Sequence, residues 1–156
     1  MYWKQPHISK IYEAITAIVD KRIEMSEEHT AKCISSSRGK FYTVKYDPET
    51  NAIMSNDNTA WYTDSVSYPM VAILMLEGVL GYDKKLEKLL SGIVWKDINQ
   101  KFKNDYDKAI EFVLLDLAQK SVDVKFIQDE IEVVYKKVCK MKIGKLGKKL
   151  KPPVGY

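Results

Sequence analysis

Nine consecutive residues, Tyr68 to Leu76, carry no charged side chain and only the tyrosine hydroxyl as a polar group. That run constrains the fold more than any other stretch. A helix apolar on nearly every side leaves no face for water, so it belongs in the middle of a domain. It is also far short of the ~20 residues a membrane helix needs. Ser67 stands where a cap is wanted and Pro69 suits a first turn, so the pattern predicts a helix over Pro69–Leu80 that Gly81 ends.

The flanking segments supply the layers this helix needs. Ile8, Ile11, Tyr12, Ile15, Ile18 and Val19 recur at three- and four-residue steps, which builds one apolar face of a helix running to about Met25, with Pro6 at its start. Three strands are expected next: Thr30–Ser36, Phe41–Tyr46 and Ala52–Ser55. The second alternates Tyr42, Val44 and Tyr46 against Phe41, Thr43 and Lys45. Arg38-Gly39 and Asp47-Pro48-Glu49-Thr50-Asn51 read as the two turns of a three-stranded antiparallel meander. Residues 56–67 read as a polar loop. Asp83 is expected to cap a short helix that Gly92 ends. Two amphipathic helices follow, over about Asp97–Lys120 and Asp123–Met141, although Val122–Phe126 alternates in a way that also suits a strand. The reading is one α+β domain over residues 1–141, with an N-terminal helix, a meander and about four further helices, then a Lys/Gly/Pro tail over 142–156 that Pro152-Pro153 stiffens.

Charge is segregated along the chain. The net charge is +4, yet from Lys136 onward there are eight lysines and no acid, so the remainder carries a net of −4. Lys136, Lys137, Lys140, Lys142, Lys145, Lys148, Lys149 and Lys151 can neutralise phosphates without reading bases, because lysine acts as a point charge. Arg22 and Arg38 are the only arginines, which argues against base-specific recognition by bidentate forks. A solvated end, or a tail lying on the protein's own acidic surface, uses the same charges. The Lys/Glu-rich balance is compatible with a thermophilic source. The first residues lack the apolar stretch of a secretion signal, so a cytoplasmic protein with no membrane partner is expected.

Motifs for catalysis are missing from the sequence. His7 and His29 stand beside no nucleophile motif. His29 and Cys33, with His7 and Cys139, make a zinc set by count but not by the paired spacing such sites favour, so neither metal nor cofactor is expected. Both cysteines read as reduced, packed thiols. Gly144-Lys145-Leu146-Gly147-Lys148-Lys149 lacks the glycine spacing and the Ser/Thr of a phosphate loop. In the body, the 56–67 loop is the best candidate ligand site: Asp57 and Asp64 are carboxylates that could bracket a ligand, and Trp61 and Tyr62 offer stacking faces.

From Ser35 the chain reads S-S-S-R-G-K-F-Y-T-V-K-Y-D-P-E-T-N-A-I-M-S-N-D-N, and after a loop S-Y-P-M-V-A-I-L-M-L. Residues 35–76 resemble the SWIM zinc-finger scaffold, in which a β-hairpin leads to C-x-C, a loop to C-x-H, and an apolar helix follows. The zinc ligands are missing: Ser55 and Asp57 stand near the place of the first pair, and Tyr68–Met70 near the second. The resemblance implies a ββα unit that holds without metal, in a family associated with nucleic-acid and protein interaction. The expected function is weak, sequence-independent nucleic-acid association through the tail. A protein-interaction module or homodimer, using Tyr2 and Trp3 as exposed aromatics, is the alternative, and catalysis through Asp57 and Asp64 the third.

Overall fold

The computed structural model describes residues 1–154. The last two residues of the expected tail lie outside them. The chain runs α1 (Ser9–Val19), β1 (Ile23–Glu27), β2 (Thr30–Ile34), β3 (Phe41–Asp47), β4 (Ala52–Ser55), α2 (Asn58–Thr63), α3 (Tyr68–Leu76), α4 (Lys85–Leu89), α5 (Trp95–Lys101), α6 (Tyr106–Gln119), α7 (Val124–Lys140) and β5 (Gly144–Lys145). The class is α+β, as expected, with one mainly antiparallel sheet in the order β1-β2-β3-β4-β5.

The sheet is larger than the expected meander for two reasons. First, α1 stops at Val19 rather than near Met25. Asp20 closes it, Lys21 turns left-handed at φ 58, and Ile23–Glu27 is released as an edge strand beside β2. Second, the chain returns after α7: Gly144 and Lys145 pair in parallel with Ala52 and Ile53. Helix α1 also begins at Ser9, beyond Pro6, where His7 Nδ1 accepts from the Ser9 amide at 3.0 Å.

The inner face of the sheet carries Ala31, Cys33, Tyr42, Val44, Tyr46 and Ile53, all buried. The alternation in β3 is as the pattern predicts, with Phe41 and Lys45 outward. Helix α3 lies against this face and against α1, and Met70 to Leu74 are wholly buried there. Its N-cap is Ser67, but the Ser67 hydroxyl donates to Asp57 at 2.6 Å and accepts nothing from the helix amides. The helix ends at Leu76, sooner than Leu80. Gly78, at φ 76, makes the left-handed turn expected of Gly81. In the Arg38-Gly39 turn, Arg38 itself takes φ 60.

The expected 97–120 helix is two helices. Lys103 and Asn104 are left-handed, at φ 52 and φ 63, and the Asp105 carboxylate caps α6 by accepting from the Lys108 amide at 3.2 Å. Asp123 does the same for α7 at Phe126, so no strand forms at 122–126. Trp95 locks α5 onto the core: its indole N–H donates to Thr16 Oγ1 at 3.0 Å, and Thr16 donates to the Leu90 carbonyl at 2.7 Å. Trp3 is buried, not exposed, and its indole N–H donates to the Ile53 carbonyl at 3.0 Å; Tyr2 is exposed.

Candidate ligand cleft and the basic C-terminal segment

The 56–67 segment is not an open loop. It holds α2, and the two carboxylates expected to bracket a ligand sit at its opposite ends. Asp57 is the N-cap. It is buried, Oδ1 accepts from the hydroxyls of Ser55 and Ser67, and Oδ2 accepts from the Ala60 amide at 3.2 Å. Asp64 closes α2 in a left-handed conformation at φ 59. The two therefore serve different surfaces.

Asp64 anchors the C-terminal segment. Both its oxygens accept from Lys145 Nζ at 2.6 Å, and Lys149 Nζ lies 3.1 Å from Oδ1. Hydrogen bonds from Lys145, then Lys149, hold its carboxyl below the usual carboxylate range. Lys149 also donates to the Trp61 carbonyl at 2.9 Å and lies 5.5 Å from the Trp61 ring. Backbone bonds from Gly144 to Asn51, Lys145 to Met1 and Leu146 to Ile53 hold the same stretch on the body. The predicted lysines thus fall into groups. Lys145 is half-buried and Lys149 is tied to Asp64. Lys136, Lys137 and Lys140 are exposed on the last turns of α7, and Lys142, Lys148 and Lys151 are exposed beyond it.

Past Lys149 the chain crosses α2. Lys151, Pro152 and Pro153 wall a hollow of about 370 Å³ whose other side is Trp61, Tyr62, Asn58 and Lys40. Tyr62 is 76% exposed, so its ring is open to a partner. The aromatic pair and the basic tail, which are some ninety residues apart in sequence, meet in this outer hollow.

Asn58 also lines an inner cleft of about 270 Å³, so the two hollows adjoin. The inner cleft lies where α1, the β2–β3 connection, α2, α3 and α5 converge. At its base Lys10 and Glu13, one turn apart on α1, form a buried pair at 3.1 Å. Burial pulls the Lys10 ammonium down, but Glu13 and then Tyr106 outweigh it and leave it above its ordinary value. The Lys10 ammonium stands 4.0 Å over the Tyr106 ring. Such a pair is weak evidence for stability, since desolvation offsets most of the attraction.

Asn99 lines the same cleft at 8% exposure, and its carboxamide oxygen is buried without a hydrogen-bond partner. An unmet buried acceptor costs about 1–3 kcal/mol, and natural folds retain few of them. At the rim, Lys96 is held below its ordinary value by desolvation and then by nearby Lys40. Ser36 Oγ accepts from the Lys96 amide at 3.0 Å and pins the β2–β3 connection to α5. Sequence reading singled out Asp57 here but missed Lys10, Glu13, Lys96 and Asn99. A Lys and a Glu three apart on the first helix were the only available signal, and that spacing is common on solvated faces.

The histidines and cysteines lie elsewhere. His7 Nε2 is 2.9 Å from Asp107, His29 bonds Glu77, and Cys33 and Cys139 are free thiols. Among the described residues no three potential ligands cluster as a metal site, and no helix is long and apolar enough to cross a membrane.

A family model matches residues 3–144, from buried Trp3 to the first residue of β5. The chain belongs to the family described as Uncharacterised conserved protein UCP014422. The UCP014422 match spans the inner cleft, both aromatics of the outer hollow and the α7 lysines, and it ends before Lys145. No curated protein and no solved structure matches the chain.

Proposed function

We propose that the protein binds single-stranded nucleic acid in the outer hollow, without reading sequence. The observation that carries this reading is the meeting of Lys151 and Lys40 with Trp61 and Tyr62 in one hollow. Single strands are held by cations that track the backbone and by aromatic faces on which bases stack, and stacking tolerates any base. A duplex keeps its bases stacked inside and has no use for Tyr62. The exposed lysines at 136, 137, 140, 142 and 148 add long-range attraction to phosphate. The likeness of residues 35–76 to the SWIM scaffold points the same way.

The test uses substitution, because deleting residues 136–156 would remove the end of α7 and β5. A labelled oligonucleotide of about ten nucleotides is titrated by fluorescence anisotropy. Tyr62→Ala is expected to weaken binding by about 1–3 kcal/mol, the worth of one stacked base. Lys151→Glu should weaken it and flatten the salt dependence by about 0.7 in log–log slope. Duplex binding as tight as single-strand binding, or affinity unmoved by both substitutions, would sink the reading.

A further inference from the structure

We infer that the inner cleft is a nucleobase pocket, taking one base with an exocyclic amino group from a strand lying in the outer hollow, where the other bases are held without regard to sequence. The inference rests on the single-strand reading for its choice of ligand, and on the cleft's own chemistry for the rest.

The cleft's volume of about 270 Å³ is just below the range of about 300–1,000 Å³ usual for small-molecule sites. That suits one base or nucleoside and leaves no room for a longer strand. Its lining suits a small polar heterocycle: Tyr42, Tyr68 and Tyr106 line it together with hydrogen-bonding groups of both kinds. Extruded bases are bound in this way elsewhere, with aromatic contact to the faces and hydrogen bonds to the pairing edge.

The acceptors decide which edge fits. Asn99 has a carboxamide oxygen buried with no donor, and Glu13 offers a carboxylate of which Oε2 is engaged by Lys10. A ligand that satisfies them must present hydrogen-bond donors, which a base supplies as N–H groups. Adenine, cytosine and guanine each carry an amino group on the pairing edge, whereas uracil offers one ring N–H between two carbonyls. The position of the cleft supplies the strand connection. Asn58 lines both hollows, Lys40 lines the outer one and Lys96 the inner one. A strand passing Asn58 from the outer hollow can turn one base inward there.

The experiment separates this inference from the single-strand reading by using nucleosides, which carry no phosphate. Adenosine, cytidine, guanosine and uridine are titrated against the wild-type protein by amide chemical-shift mapping. The expected result is saturable shifts at Asn58, Asn99 and Tyr106 with the three amino-bearing nucleosides, and weaker binding of uridine. Asn99→Ala should weaken the amino-bearing nucleosides by about tenfold. It removes an acceptor that has no partner, so the melting temperature should not fall, and a melting curve checks this. The absence of shifts at those residues, equal affinity for uridine, or tighter binding of free amino acids or sugars would overturn the pocket. If nucleosides fail while oligonucleotides bind, the pocket falls and the single-strand reading stands. If nucleosides bind and oligonucleotides do not, the pocket stands and the single-strand reading falls.

Discussion

Thr16 joins two elements through one hydroxyl, taking the Trp95 indole N–H and giving its own proton to the Leu90 carbonyl. Thr16→Val keeps the shape and leaves a buried indole N–H and a carbonyl without partners. We expect it to destabilise the fold by about 1–3 kcal/mol, measured by urea unfolding with an unchanged m-value. His29 supplies a pH-dependent bond. Its hydrogen bond to Glu77 leads in raising its pKa, so the stabilisation is complete below the unfolded value of about 6.5 and is lost as pH climbs through the higher folded value. Asp64 has the opposite sign. Its lowered pKa gives stabilisation above the unfolded value of about 3.9, lost as pH falls through the folded one. Melting temperature against pH should therefore lose part of its slope above about pH 6.5 in His29→Gln and part of its acid slope in Asp64→Asn. These pairings were not legible in the sequence. His29 lies 48 positions from Glu77, and Asp64 lies 81 from Lys145. Only the fold brings them together, whereas Asn51 was legible as a left-handed turn residue from its own chemistry.

At the scale of elements, local patterns were reliable wherever one face of a segment met the core. The alternation of β3 and the uniform apolarity of α3 translate directly into burial. Boundaries failed where a residue took a left-handed conformation that its type does not announce: Lys21 after α1, and Lys103 between α5 and α6, where Asn104, a type that tolerates that conformation, follows it. Strand β5 was illegible because two residues have no period. It is tied to the sheet by its parallel pairing and by the Trp3 amide on the Ile143 carbonyl at 2.9 Å. Two truncations test its role. A chain ending at Gly147 should fold normally, while one ending at Met141 should lose about 3 kcal/mol or more through buried Ile143 and the broken ladder, read from unfolding curves.

The whole molecule is an acidic body on which the first part of a basic segment is laid, leaving the last part beside an aromatic pair. The charge segregation was visible in the sequence, and a tail lying on the acidic surface was one of its readings; which acid holds it was not, because Asp64 gives no local sign of its partners. Nor did the sequence show that the ligand loop and the tail are one site, or that a second, deeper cleft opens beside it. Of the three tryptophans, Trp3 is 8% exposed and Trp95 1%, while Trp61 is half-exposed at the outer hollow. Intrinsic fluorescence therefore reports on the proposed site. Titration with a single-stranded oligonucleotide at low salt should quench the emission saturably, with a midpoint that rises with salt, and Trp61→Phe should abolish the quenching. Emission unchanged by the oligonucleotide, or quenched equally in Trp61→Phe, would contradict a binding site at this hollow.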